Sequence, residues 1–159
     1  METELRRRRI ELLTLGSGII AFGVWSVLKT FLYVWVAPLT GELDVAQQYR
    51  SLVLAVSYGL IALIVLIDLR LRLYIGLSAR KEGVGKRVGK TYIIVAAFVL
   101  AVNIVTWIAT VFVYRYQEEQ QALMDYIVSL AVDLTSMALM GRLLHNAIRV
   151  RQLRRQLEG

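Results

Sequence analysis

Residues 23–36 read GVWSVLKTFLYVWV, and Lys29 is their only charged side chain. It is also the only charge between Leu12 and Ala37. A helix needs about 20 residues to cross about 30 Å of hydrocarbon, so this stretch predicts a membrane span with one ionisable group inside it. The cationic start before it resembles that of a secretion signal, but the apolar run is too long for a signal's central region. No Ala-x-Ala site follows, so a retained span is expected.

Three further apolar runs lie outward from this one: Ser51 to Ile67, Ile93 to Tyr114 and Ala122 to Leu144. Together the four runs predict an all-α integral membrane protein, a four-transmembrane-helix bundle with short outer loops, forming one domain over residues 1–159. Residues 145–159 are expected to continue helix 4 as a basic amphipathic extension near anionic lipid or a partner. The composition agrees: 57% of the residues are hydrophobic and there is one proline in 159 positions. That is more apolar than a soluble domain of this length requires.

Orientation follows from the cations. Arg6 to Arg9 precede the first run, seven lysines and arginines fall from Arg70 to Lys90, and Arg142, Arg149, Arg151, Arg154 and Arg155 crowd the last stretch. Of the two remaining connections, the first has only Arg50, at its end, and the second has only Arg115. The positive-inside rule then places both termini and the middle connection in the cytoplasm. A compact chain with this arginine bias is expected in a bacterial inner membrane. The net charge of +7 is accounted for by attraction to anionic headgroups. Nucleic-acid binding is not expected, because no folded basic face with stacking aromatics is evident.

Several chemistries are excluded by composition. There is no cysteine, hence no disulfide, thiolate metal site or thiol redox step. The single histidine, His145, cannot provide two axial haem ligands and is expected at the membrane interface. VGKRVGKT, residues 84–91, approaches the phosphate-loop pattern, but Val84 stands where the first glycine belongs and the flanks are membrane helices, not a strand and a helix N-terminus. It is expected to be a flexible basic linker facing lipid. The three-residue spacing of Arg142, Arg151 and Arg154 lies mostly beyond the apolar run, where it would move little charge through a membrane field. No cofactor or metal is expected.

Helical angles, about 100° per residue, sort each run into faces. On helix 1, Gly16, Gly23, Thr30 and Ala37 recur every seven residues, with Ser26, Tyr33, Phe22, Gly18 and Lys29 beside them. Small residues suit helix contact, so this face is expected to meet protein. On helix 3 the face centred on Asn103 carries Tyr92, Ala96, Val99, Thr106, Trp107, Thr110 and Tyr114; Ile94, Phe98, Val105 and Phe112 lie opposite. Helix 4 centres on Asp133, with Tyr126, Ser129, Ser136, Met137 and Met140, and helix 2 shows a small stripe of Ser51, Ala55, Tyr58 and Ala62.

At about 1.5 Å per residue, Asn103 and Asp133 fall near the bilayer centre and Lys29 roughly 7 Å further out, within reach of a leaning lysine. A Lys29–Asp133 pair with Asn103 alongside is the expected centre of an intramembrane polar site, surrounded by Tyr33, Tyr58, Trp107, Thr110, Tyr126 and Ser129. An unpaired charge at that depth costs at least about 2.5–3.5 kcal/mol. Asp68 and Arg72, four residues apart, are expected to pair at the cytoplasmic interface. Trp35, Tyr49, Tyr114 and Tyr116 read as an outer aromatic belt.

Intramembrane ionisable groups mark ion, proton or substrate paths, so the first reading is a transporter or channel component for a small solute, ion or proton. The alternative is a non-catalytic subunit or regulator of a larger membrane complex, acting through the small-residue faces and basic segments. A homo-oligomer or a membrane-protein partner fits either. A lipid-modifying enzyme would need clustered nucleophiles, bases or metal ligands, and the outer acids Glu42, Asp44, Glu118, Glu119 and Asp125 lack motif spacing. No enzyme is expected.

Overall fold

A computed structural model describes the backbone of residues 2–40, 50–114 and 123–158 and the side chains of 2–32, 55–109, 111–112 and 130–157. All of it is helix apart from one connection: α1 Glu2–Thr40, α2 Arg50–Gly83, α3 Thr91–Tyr114 and α4 Leu123–Glu158. No strand occurs among the described residues. Two helices are long and apolar enough to cross a membrane, α1 over Glu2–Leu32 and α3 over Thr91–Ala109. In α2 the described apolar stretch is short, running from Ala55 to Ile67 before Asp68, and in α4 it starts at Leu130 and is broken by Asp133.

The helices outrun the apolar stretches. α1 has 39 residues, α2 34 and α4 36, which at about 1.5 Å per residue is roughly 50–60 Å each. The segment between Asp68 and Tyr92, expected as a connection, is mostly the continuation of α2. Its Leu, Arg, Ala, Lys and Glu residues are strong helix formers whatever their hydropathy, and it contains no proline.

The connection left over, residues 84–90, is tied down at both ends. Gly85 has φ +98°, the left-handed conformation that glycine adopts without penalty. Its N–H donates to the Glu82 carbonyl at 2.9 Å and the Lys86 N–H donates to the Lys81 carbonyl at 3.0 Å. This pair of bonds is the Schellman C-cap, which satisfies carbonyls left open at the end of α2. The expected flexible linker is therefore a capped turn.

Each helix packs on two others: α1 on α2 and α4, and α3 on the same two. The buried core comes from all four and gathers at one end, where the α1 N-terminus, the 84–90 turn and the α4 C-terminus meet. We call this the basic end, after its arginines and lysines. Leu5, Leu12 and Ile19 of α1 repeat every seven residues and meet Ile75 and Ala79, Tyr92, Ala96 and Val99, and Met140, Leu143, Ala147 and Val150. The heptad repeat holds one stripe of α1 against its neighbours along the contact. Away from the basic end, large apolar side chains stand exposed, among them Phe31, Ile64, Phe98, Val105 and Phe112.

The α1–α2 pair is the most extensive, and its seam is made of glycine. A Cβ on Gly16 would lie 2.7 Å from the Gly76 carbonyl oxygen, and one on Gly76 would lie 2.6 Å from the Gly16 carbonyl oxygen and from Ile20. Backbone touches backbone here. The small-residue face expected on α1 is the one used, with Gly16 and Gly23 buried. The stripe expected on α2 is not. Ala55 and Ala62 are exposed, and α2 turns Arg72, Ile75, Gly76, Ala79 and Glu82 inward instead, because the close approach occurs beyond the apolar run.

Replacing Gly76 with valine is expected to destabilise the protein by about 1–3 kcal/mol, the usual cost of overpacking. Thermal unfolding followed by circular dichroism in detergent checks this; Gly59→Val, at a glycine with nothing within 4 Å of a built Cβ, serves as the matched control.

Candidate functional site

Two polar constellations stand out, and the deeper one is at the basic end. Ile75, Ala79 and Glu82 are spaced i, i+4, i+7, so the stripe of α2 that buries two apolar residues also buries a carboxylate. Glu82 is 1% exposed. An isolated carboxylate there would be costly, and two side chains meet it with three hydrogen bonds. Arg151 of α4 donates from Nε to Glu82 Oε1 at 2.9 Å and from Nη2 to Oε2 at 3.1 Å. The Tyr92 hydroxyl of α3 donates a short hydrogen bond to Oε2.

Arg151 also reaches back to the turn, donating from Nη2 to the carbonyls of Val88 at 3.0 Å and Gly89 at 2.9 Å. Its guanidinium carbon sits 5.5 Å from the centre of the Tyr92 ring, within cation–π range. Burial works against its charge, but the hydrogen bond and charge of Glu82 outweigh that and hold its pKa above the ordinary arginine value. One side chain thus joins α2, α3, α4 and the 84–90 turn. A second polar contact ties α1 to α4 nearby. Arg8 donates to Asn146 Oδ1 at 2.7 Å, and Asn146 Nδ2 donates to Glu11 Oε2 at 2.9 Å.

Residues 145–159 were expected to lie along lipid or a partner. α4 does continue through them, and one of its faces there buries Asn146, Ala147 and Val150 against the other helices. Glu82 and Arg151 were not among the expected site residues. The signal for them was present, since Glu82 is the sole carboxylate between Asp68 and Glu118 among many cations.

The second constellation contains the expected charges. A cavity of about 260 Å³ is lined by Ser26, Lys29 and Thr30 of α1, Arg72 of α2 and Asp133 and Ser136 of α4, with Phe22, Trp25 and Val132 as apolar walls. Lys29 and Asp133, 104 positions apart in sequence, are thus on one surface, and both are solvent-accessible. Arg72 is 8% exposed. Its Nε lies 2.8 Å from Asp68 Oδ2 and its Nη1 donates to Ser136 Oγ at 2.9 Å. The Asp68–Arg72 pair is formed, and it also fixes a cation at the cavity wall from a second helix. Arg72 also packs against Gly23, whose missing side chain leaves room for it.

The other expected members lie elsewhere. Asn103, Trp107 and Tyr58 do not line this cavity; the Asn103 Nδ2, Trp107 Nε1 and Tyr58 hydroxyl are each buried without a hydrogen-bond partner. α3 turns the Asn103 face inward at Tyr92, Ala96 and Val99 and leaves Ile94, Phe98, Val105 and Phe112 outside, but no described residue of α3 reaches the Lys29–Asp133 cavity. Tyr33, Thr110, Tyr126 and Ser129 lie outside the residues whose side chains are described, as do the aromatic belt and the outer acids. Among the described residues no three carboxylates or imidazoles gather as a metal-ligand set.

No protein-family model, curated protein or solved structure matches this chain.

Chemically the constellations differ. Both Glu82 oxygens and four Arg151 hydrogen bonds are spent within the protein, which leaves architecture as their work. The cavity has room for several waters or a small ion at about 30 Å³ per water, and charged and hydroxyl side chains line it. Arg151→Met, which leaves the Glu82 carboxylate buried without its cation, is expected to destabilise the protein by about 3–5 kcal/mol. The double change Glu82→Leu/Arg151→Met should recover most of that loss. Chemical unfolding of the four species of the cycle in detergent measures both effects, and equal destabilisation by the single and double changes would show that the pair does not carry the contact.

Proposed function

We propose that this is a multi-pass membrane protein with four spans in a bundle, both termini and the 84–90 turn in the cytoplasm, which passes a small ion, proton or polar solute along the α1–α4 cavity. The observation that supports this is the cavity wall itself. Three helices place a lysine, an arginine, an aspartate and the hydroxyls of Ser26, Thr30 and Ser136 around one space, in the half of the molecule where the neighbouring large side chains are exposed and apolar.

A structural ion pair does not need such a cavity. Water or an ion does. Embedded charges each cost a few kcal/mol on insertion, so their presence beside a hollow is accounted for by use. Arg72 is held by Asp68 and Ser136, which makes it a fixed wall charge. Lys29 and Asp133 are the more accessible groups and take the role of binding and releasing the passing species.

In proteoliposomes loaded with a pH dye and given an imposed potassium diffusion potential, the wild-type chain is expected to admit protons or the accompanying ion. Lys29→Met and Asp133→Asn are each expected to lower that flux at least tenfold with helix content unchanged. Flux that both variants retain would overturn the reading and leave assembly with a larger membrane complex as the role to pursue.

A further inference from the structure

A second groove, of about 340 Å³, lies between α3 and α4 at the basic end. Its composition is ordered along its length. Lys90 stands immediately before Thr91, where the apolar stretch of α3 begins, and Ile93 and Ile94 follow one turn into that stretch. On α4, which returns to the same end, Arg155 lies two turns beyond Ile148. Both helices therefore put a cation at the outer mouth and isoleucine further in. Ile94 is 68% exposed and Ile148 47%, so the inner part is an open apolar trough.

The charges are not balanced locally. No described carboxylate lines the groove. Arg151 forms part of the wall, but its charge is answered by Glu82 and its guanidinium is held by the Val88 and Gly89 carbonyls. Lys90 and Arg155 are exposed and supply two positive charges that no described residue of the groove offsets. The Arg151 contacts also keep the turn, and with it Lys90, at a set distance from α4.

We propose that this groove binds one anionic phospholipid, with its phosphate between Lys90 and Arg155 and an acyl chain along Ile93, Ile94 and Ile148. A basic mouth on an apolar trough at the start of a span matches an amphipathic anion, whereas a free phosphate would leave the isoleucines uncovered. The proposal rests on α3 crossing the bilayer and is independent of the Lys29–Asp133 cavity.

The test is native mass spectrometry of the full chain in detergent, titrated with dioleoylphosphatidylglycerol or dioleoylphosphatidylcholine. The wild type is expected to retain one phosphatidylglycerol with at least tenfold preference over phosphatidylcholine. K90Q/R155Q should lose roughly tenfold or more of that retention, since each cation near anionic lipid contributes about a fivefold factor. K81Q/R149Q, which removes the same charge at two exposed positions outside the groove, should change it less than threefold.

Equal loss in the two double variants would overturn the site in favour of diffuse attraction. Equal retention of phosphatidylcholine, or displacement of the lipid by millimolar inorganic phosphate, would overturn it as well. Carbonate washing of membranes from expressing cells reads the span separately: release of the chain into the supernatant would fail the membrane reading, while a membrane-retained chain with no lipid preference fails the groove alone.

Discussion

The buried Glu82 carboxylate is the constraint around which the basic end is arranged. A carboxylate 1% exposed must be met by donors from outside its own helix, because α2 has spent its backbone N–H groups on itself. Arg151 and Tyr92 meet that demand from α4 and α3, so satisfying one group sets the relative positions of three helices. The apolar core then closes around it. Leu143, Ala147 and Val150 precede Arg151 on one face of α4, and Ala96 and Val99 follow Tyr92 on α3, so the same rotation that delivers the polar partners buries the core.

Packing is distributed unevenly as a result. Strong contacts concentrate at the basic end, where glycines let α1 and α2 touch and polar groups bridge the remaining helices. Farther along, Phe31, Ile64, Phe98 and Phe112 point outward, which in water would be an association hazard and in hydrocarbon is ordinary solvation. Lys29 and Asp133 lie in that looser part. A hollow can persist there because the helices are already held at the other end and the charged wall does not have to supply the packing.

The all-helical plan and two of the four expected spans were legible, because apolar length and helix face follow hydropathy and angle. The face centred on Asn103 and the glycine face of α1 came directly from period and side-chain size. The continuation of α2 through Glu82 was not legible from hydropathy, since Arg70, Arg72, Arg80 and Lys81 lower the average while favouring helix. Glu82 and Arg151 escaped for a related reason: charge near a membrane boundary looks like surface until the helix is known to continue with its buried stripe intact. Lys29 and Asp133 could be placed on facing arcs by angle. Asn103 could not be assigned to their cavity, because angles give a face without saying which neighbour that face meets.

The glycine seam also sets what lengths of chain are admissible. Gly16 and Gly23 on α1 are seven residues apart, as are Gly76 and Gly83 on α2, and a Cβ on any of the four would come within 3.2 Å of the antiparallel neighbour. One residue inserted between either pair would turn everything beyond it by about 100°, setting a larger side chain where two backbones now touch. Within the seam, insertions and deletions must therefore come in near-whole multiples of the heptad. The paired helices act as a ruler on the gene.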